Sequence, residues 1–451
     1  MSSESQTRTS AAPRLQRALS LWDLVFYGII LIQPTAPMPL FGVVYQEARG
    51  HVVTTILIAM VAMLFTAISY GRMARAYPAA GSAFTYVGRE LHPSLGYVTG
   101  WSMAMDYMLN PVICTIWCSK AAGNIVPEIP YAVWIVFFVL LFTGLNLRGI
   151  RATARTNEVL AAGMGVVILW MFAATIRYLF AQPGLTPAFF LRPVYDASTF
   201  SVPLVLTGTS IAVLTYIGFD GISTLSEEVQ NPRRNILLAT VITCLVTGVL
   251  ASLEVYAAQL IWPTGKAFPD ADTAYVHVAG EAGGWILFQV VNMTLLVATI
   301  GSGSGAQLAA ARLLYGMGRD NALPKRFFGA IEPKRHIPRN NVLFTGGLAL
   351  VGGFLLSYQL GAEMLNFGAF IAFMGVNLAA FVRCFVRDRK HTLGNFLPPL
   401  MGFAICFYIW INLRSTAKIA GAIWLLMGIL YGAWRTRGFK SDLVKFEMPE
   451  E

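Results

Sequence analysis

The chain has 451 residues, of which 56% are hydrophobic and 12% charged, and its formal net charge is +10. Soluble domains average roughly 45–50% apolar and 25% charged residues, so this composition excludes a water-soluble fold of this length. The basic residues are divided among short segments between apolar runs, as expected for the loops of a membrane protein, so we expect no nucleic-acid binding.

Apolar runs of about twenty residues, the length that crosses a hydrocarbon core, recur along nearly the whole chain. Because the runs are continuous and not short and alternating, they predict helices and not the strands of a barrel. The predicted spans are 21–45, 52–77, 95–125, 129–149, 156–181, 199–226, 236–262, 283–313, 342–358, 362–386, 396–413 and 418–436. The predicted fold is an all-α integral membrane protein with about twelve transmembrane helices.

The first 20 residues are rich in Ser, Thr, Gln and Arg and lack the apolar core of a signal peptide, which predicts a disordered cytoplasmic tail. Alternating spans then place most Lys and Arg residues on the side of this tail. The opposite side receives only Arg49, Arg177, Arg192, Lys266, Arg414 and Lys418. We therefore expect a multi-pass protein of the plasma (inner) membrane with both termini, including the tail 437–451, in the cytoplasm.

Three prolines fall within residues 34–39, near the centre of the first predicted span. Proline has no N–H, so the carbonyls of Ile30, Gln33 and Thr35 lose their helical partners. Such carbonyls are tolerated at that depth only when they are buried in protein or face a watery cavity. A kink packed against neighbouring helices is one interpretation. A functional break, with Gln33, Thr35 and Ala36 in contact with substrate, is the other and is favoured by the three prolines.

The sixth predicted span has a similar weak point, where Gly218 and Gly221 bracket Phe219 and Asp220. Glycine and a local acid both weaken a helix there. Interrupted helices at corresponding positions of two halves indicate a transporter site and suggest two inverted five-helix repeats. The Asp220 carboxylate could neutralise a substrate amine, or could hold the unwound segment by accepting backbone N–H bonds. Tyr216 and Phe219 could face a cation, or simply pack.

In the third predicted span, Asp106 lies about eleven residues, or roughly 16 Å, from the start. An acid at this depth is typical of a functional site and could attract an ammonium group, carry a proton or pair with a neighbouring helix. Tyr107 and Asn110 could line the same cavity, because Pro111 frees a carbonyl there. Lys120 is about 21 Å farther along an ideal helix, so it cannot pair with Asp106. It could snorkel to the surface or close an outer gate.

Three further residues are candidates on weaker grounds. Glu227 and Glu228, at the predicted cytoplasmic end of the sixth span, could form a gate of ion pairs or a solvated face. Ser302 lies in the small-residue run 301–305 of the eighth span and could reach a substrate or an ion. Helix packing is the ordinary role of such a run.

Several motifs resemble those of the amino acid-polyamine-organocation permeases. They are YPAAGSAFTY at 77–86, GFDG at 218–221 with LSEEVQNPRR at 225–234, and RLLYGMGRDN at 312–321 followed by Pro324. Within that superfamily the chain is most similar to bacterial putrescine importers, through residues 65–71, Asp106 with Tyr107, Lys120 and residues 366–369.

The resemblance implies a LeuT-type fold, in which substrate lies between the unwound parts of helices 1 and 6 with contacts from helices 3, 8 and 10. The first repeat would occupy 21–181, the second 199–386, and two peripheral helices 396–436. The chain departs from relatives in two places. Prolines 34–39 replace the Gly-Ser-Gly-like turn of many amino acid permeases, and Met164, seven residues after Asn157, replaces a proton-linked lysine of some relatives.

The predicted function is that of a secondary transporter importing a putrescine-like amine with protons; a neutral or cationic amino acid permease or exchanger is the alternative. Three features favour an ammonium group over a carboxylate in the substrate. The prolines at 34–39 remove amide donors, they free backbone carbonyls, and Asp106 and Asp220 add negative charge. Sodium is less favoured because no full set of ligands is visible, although Ser302 and Ser304 keep it open. No nucleotide-binding, catalytic or metal-binding motif is visible, so we expect no enzymatic activity and no cofactor.

Overall fold

The computed structural model describes residues 19–77, 82–148, 154–225, 229–263, 265–319, 323–333, 335 and 337–438. Throughout these segments the regular structure is helical, and the extended pairing seen there is one isolated bridge between Leu19 and Val229. The predicted all-α class is confirmed.

The α-helices follow one another with short connections. They are α1 (Leu21–Ile32), α2 (Phe41–Glu47), α3 (Val52–Ala76), α4 (Ser82–Glu90), α5 (Pro93–Gly123), α6 (Tyr131–Leu147), α7 (Ala154–Phe180), α8 (Pro187–Leu191), α9 (Val202–Ala212), α10 (Pro232–Ile261), α11 (Ala274–Arg319), α12 (Lys325–Phe328), α13 (Arg339–Leu355), α14 (Tyr358–Phe381), α15 (Leu393–Ile411) and α16 (Ser415–Arg435). Two 3₁₀ segments, Val213–Tyr216 and Phe219–Leu225, follow α9, and a π-helical turn, Val382–Arg387, continues α14.

Eight candidate membrane spans in the described residues have the length and apolar composition needed to cross a membrane. They are α3, Val159–Phe180, Val202–Ser223, Arg234–Ile261, α11, Tyr358–Arg387, α15 and α16. The apolar helices α1 and α6 are shorter. Large apolar side chains such as Leu140 of α6, Leu169 of α7 and Trp434 of α16 remain exposed, as expected for surfaces that face lipid.

The first break comprises residues 33–40, between α1 and α2. Helix α1 begins with a capping box between Ser20 and Asp23 and ends at Ile32, after which Gln33 adopts a positive φ of 71°. The chain then continues in tight turns, because prolines in this segment cannot donate helical bonds. The predicted interruption is present.

Turn hydrogen bonds change one expectation about this break. The amide of Ala36 donates to the Gln33 carbonyl over 3.1 Å, and the amide of Met38 donates to the Thr35 carbonyl over 3.1 Å. The Gln33 and Thr35 carbonyls are therefore not left without a donor, as the proline pattern predicted. A turn bond from three residues ahead replaces the helical bond that proline removes.

The second break comprises residues 213–225, after α9. The backbone tightens to 3₁₀ geometry and then turns at Gly218, whose φ of 116° is accessible to glycine and strained for other residues. The helix does not run continuously through 216–222, so the second predicted interruption is also present.

Glycines allow the second break to pack directly against α1. A Cβ atom on Gly28 of α1 would lie 2.5 Å from the Ile222 side chain, and one on Gly221 would overlap the Leu31 side chain. Beyond the breaks, a Cβ on Gly208 of α9 would lie 2.9 Å from Ala48, next to α2. The helix segments on either side of the two breaks thus pack against each other.

Candidate substrate site

Two neighbouring helices anchor the first break. The Gln33 side-chain amide donates to the Ala298 carbonyl of α11 over 3.2 Å. The Thr35 hydroxyl, whose residue is 1% exposed, donates to the Met164 sulfur of α7 over 3.2 Å. Ala36 is partly buried against the core. Gln33 is thus held by α11 and Thr35 by α7, and Met164, the position of the missing lysine, faces this break.

The second break holds its own acid. The Asp220 carboxylate is stabilised by hydrogen bonds from backbone groups of Gly218, Asp220 and Gly221. The Asp220 carbonyl also accepts a bond of 2.6 Å from the Ser223 hydroxyl. Two roles were predicted for Asp220, and these backbone donors support the one in which it holds the unwound segment.

Asp106 on α5 is 8% exposed and lies within electrostatic range of Asp220. It makes no hydrogen bond within the described part of the chain. When both are ionised, Asp106 and Asp220 place two negative charges within electrostatic range of each other. A cation bound between them would relieve their mutual repulsion.

Aromatic rings close one side of this acidic region. Phe219 is fully buried, with ring centroids 5.4 Å from Tyr70 of α3 and 5.7 Å from Phe373 of α14. The Tyr70 hydroxyl is buried without a hydrogen-bond partner among the described residues and lies within electrostatic range of both Asp220 and Asp106. Neither Tyr70 nor Phe373 was singled out from the sequence; Tyr70 lies in the stretch 65–71 that carries the resemblance.

Tyr216 has a different environment from that of a cavity lid. Its ring is fully buried, and its hydroxyl donates to the Ile56 carbonyl of α3 over 2.9 Å. The hydroxyl is therefore an anchor between the second break and α3.

Tyr107, Asn110 and Ser302 lie along the contact of α5 with its neighbours. Tyr107 is partly buried against a small apolar cluster that includes Met108 of the same helix. The Asn110 side-chain oxygen accepts from the Cys114 thiol over 3.3 Å, and the same thiol interacts with the Ser302 hydroxyl of α11. Asn110 and Ser302 are thus brought together through Cys114.

The predicted gating residues have separate outcomes. Lys120 forms ion pairs with Asp270 over 3.1 Å and with Asp272 over 2.7 Å, both in the connection between α10 and α11. Lys120 therefore ties the end of α5 to that connection and does not pair with Asp106. Glu227 and Glu228 lie outside the described residues.

A second ionic cluster, not anticipated from the sequence, joins α4 to the end of α14. The buried Glu90 carboxylate lies 3.0 Å from Arg387 and 3.4 Å from Arg383, and it accepts a bond of 2.5 Å from the Tyr77 hydroxyl. Its members are distant in the sequence, so no local pattern indicated it.

Comparison with known proteins identifies the family. The family model described as amino acid permease matches residues 27–442. This chain belongs to the amino acid permease family. It is 32% identical over 457 residues to the low-affinity putrescine importer PlaP of Escherichia coli (strain K12), with 99% of each chain covered. The superfamily predicted from the motifs is confirmed.

More distant permeases and transporters also match over most of this chain. The identity is 27% over 466 residues to the branched-chain amino acid permease BcaP of Lactococcus lactis, covering 93% of this chain and 95% of that one. It is 26% over 402 residues to the vacuolar cationic amino acid transporter 4 of Arabidopsis thaliana, covering 83% and 64%. The chain is thus a multi-pass membrane protein of a transporter family.

Proposed function

We propose that this amino acid permease imports a small amine of the putrescine type together with protons. The observation that carries the proposal is the pair of buried acids, Asp106 on α5 and Asp220 in the second break, which lie within electrostatic range of each other. A diamine carries two ammonium groups at neutral pH, and each gains from a nearby carboxylate in a poorly solvated site. The full-length similarity to a putrescine importer supports the same substrate class.

The remaining site residues are assigned around these acids. Gln33, Thr35 and Ala36 form the wall at the first break. Phe219 forms the wall at the second, where the Tyr216 hydroxyl anchors the segment to α3. Tyr107, Asn110 and Ser302 line the approach along α5 and α11, and Lys120, Glu227 and Glu228 control its two ends.

We also propose the membrane arrangement that the family resemblance implies. Twelve spans cross the inner membrane with both termini in the cytoplasm, and residues 21–181 and 199–386 form two inverted repeats. The last two spans, within 396–436, are peripheral. The uneven distribution of Lys and Arg supports this orientation.

Uptake by purified protein in proteoliposomes tests the function. Labelled putrescine should accumulate when the outside is more acidic than the inside, and replacing sodium by choline at fixed pH should leave the rate unchanged. A panel of amines and amino acids, assayed in parallel, sets the specificity. Failure of putrescine both to accumulate and to compete with any transported compound would contradict the amine assignment.

A neutral or cationic amino acid is the second candidate substrate, with exchange as an alternative to symport. The matches to a branched-chain permease and a cationic amino acid transporter favour it. Trans-stimulation separates the two mechanisms. An exchanger requires an internal substrate for uptake, whereas a proton symporter requires only the pH gradient.

A further inference from the structure

A third acid inside the helical bundle has no role in the site described above. Glu254 lies on α10 and is 0% exposed. Within the described residues, neither of its two carboxylate oxygens has a hydrogen-bond partner. An ionised carboxylate in such a place would lack both water and a partner, so this environment favours the neutral, protonated acid.

Glu254 lies on the same face of α10 as a residue that packs against α1. Thr243, on the same helix, packs against Gly28 of α1, and its hydroxyl lies 3.5 Å from the Val25 carbonyl. Glu254 follows Thr243 by eleven residues, which is about three helical turns, so both lie on one stripe of α10. The stripe that contacts α1 at Thr243 therefore continues to Glu254, roughly 16 Å farther along α10.

Tyr275 of α11 connects Glu254 to α2. Its hydroxyl lies 3.5 Å from the Glu254 main-chain carbonyl, and the phenol and the acid lie within electrostatic range. The Tyr275 ring meets Phe41 of α2 edge-on, with centroids 5.7 Å apart. A movement of α2 would consequently change the surroundings of Glu254.

The other titratable side chains near this half of α10 have partners or lie in ring contacts. On α3, both His51 ring nitrogens are engaged, by the Ala48 carbonyl and the Asp196 amide. On α2, the Tyr45 ring packs against Phe268, and Glu47 forms an ion pair with Arg414. On α7, Arg177 donates a hydrogen bond to the Ala282 carbonyl. On α11, the His277 ring packs against Phe288, and Glu281 forms an ion pair with Lys266. At the second break, Asp220 is held by backbone groups of its own segment. No described cation pairs with Glu254.

We propose that Glu254 binds the proton that is transported with the substrate, at a site separate from Asp106 and Asp220. This inference rests on the proposed proton-coupled import. The acid takes up a proton from the outer water, forming one O–H bond. It carries the proton as a neutral acid while it is buried, and it releases the proton when movement of the first break opens a path to the cytoplasm. No electron transfer is involved.

Replacing Glu254→Gln tests the proposal, because glutamine has nearly the shape of the neutral acid and cannot release a proton. Two assays on the same proteoliposomes separate coupling from substrate handling. Exchange of labelled for unlabelled putrescine, without a pH gradient, reports substrate binding and translocation. Accumulation of putrescine driven by an acidic exterior reports coupling. The matched control is Glu128→Gln, which removes an exposed acid from the connection between α5 and α6.

We expect the Glu254→Gln protein to keep exchange and to lose concentrative uptake, while wild type and the Glu128→Gln protein show both. Unchanged pH-driven accumulation in Glu254→Gln would overturn the role of Glu254 and leave the proposed function intact. Loss of exchange in a folded Glu254→Gln protein would overturn the separation of the two sites. Exchange without pH-driven accumulation in wild type would instead contradict proton symport itself, and with it the inference.

A measurement on the wild-type protein covers the case in which the variant does not fold. A hydrophobic carbodiimide reacts with protonated carboxyl groups, and peptide mapping locates the adduct. We expect modification of Glu254 to decline as the pH rises. As modification proceeds, pH-driven accumulation of putrescine should be lost while putrescine exchange still continues. Absence of pH-dependent modification at Glu254 would contradict the proposal.

Discussion

The two breaks are made from different residues and are stabilised in opposite ways. At the first break, prolines remove backbone donors, and the carbonyls of Gln33 and Thr35 are used by turn bonds from Ala36 and Met38. At the second break, glycines keep their amides, and backbone groups there stabilise the Asp220 carboxylate. The first break is thus poor in donors and is held from outside by α7 and α11. The second supplies its own donors and carries a charge.

This difference shows how one site can carry acidic side chains while its backbone amides and carbonyls keep their hydrogen-bond partners. An acid placed among prolines would find few amide donors, whereas among glycines it is held by its own segment. We therefore expect changes at the second break to affect ligand binding, and changes at the first to affect mainly packing.

Replacing each acid by its amide should give the largest effect on binding. Asp106→Asn removes a carboxylate that makes no hydrogen bond to the described residues. The free energy of putrescine binding should weaken by about 1.5–3 kcal/mol, so the affinity should fall roughly ten- to more than a hundredfold. Asp220→Asn should also weaken putrescine binding. It should lower the thermal stability as well, because a neutral amide accepts the backbone hydrogen bonds more weakly than a carboxylate does. Isothermal titration and thermal unfolding of both purified variants provide the measurement.

The outcome at the two acids can contradict the site in different ways. If the Asp220→Asn protein binds every amine and amino acid with unchanged affinity, Asp220 has a purely structural role. Unchanged affinity in Asp106→Asn would remove the observation on which the amine assignment depends.

Glycine-to-alanine changes compare the packing at the two breaks. A Cβ on Gly42 of α2 would overlap the main-chain carbonyl of Ala271, which cannot rotate away. A Cβ on Gly221 would meet only the end of the flexible Leu31 side chain. Gly42→Ala should therefore cost about 1–3 kcal/mol of folding free energy, and Gly221→Ala less than about 1 kcal/mol.

The control for this pair is Gly144→Ala in α6, where a new Cβ would meet nothing within 4 Å. Thermal unfolding in one detergent ranks the three proteins. Equal destabilisation by Gly42→Ala and Gly221→Ala would show that backbone and side-chain contacts resist overpacking equally here.

The smallest effect is expected for Tyr216→Phe. The change keeps the ring and removes the hydroxyl that donates to Ile56, so it should cost about 0.5–1.5 kcal/mol of stability and leave putrescine affinity unchanged. A clear loss of affinity without a loss of stability would return Tyr216 to the role of a ligand contact. Thermal unfolding and binding, measured together, distinguish the two.

The positions of the breaks followed from the sequence because their causes are local. Proline lacks an N–H wherever it lies, and a φ of 116° at Gly218 is open mainly to glycine, so residues 34–39 and 218–221 indicate interruptions without knowledge of any neighbour. The family was recognisable for a related reason, since its motifs are short contiguous stretches. The position of Asp106 well inside α5 followed from counting along one helix.

Contacts between distant segments could not be read in this way. The pairing of Lys120 with Asp270 and Asp272 joins residues about 150 positions apart, and the Glu90 cluster joins α4 to the end of α14. Glu254 looks like any other acid in an apolar run. Its burial comes from the packing of α10 against α3, α1, α7 and α11, and burial depends on every neighbouring element at once. Thus local chemistry determined where the helices break, and tertiary packing decided which acids are paired, which are held by backbone, and which, like Glu254, have no partner among the described residues.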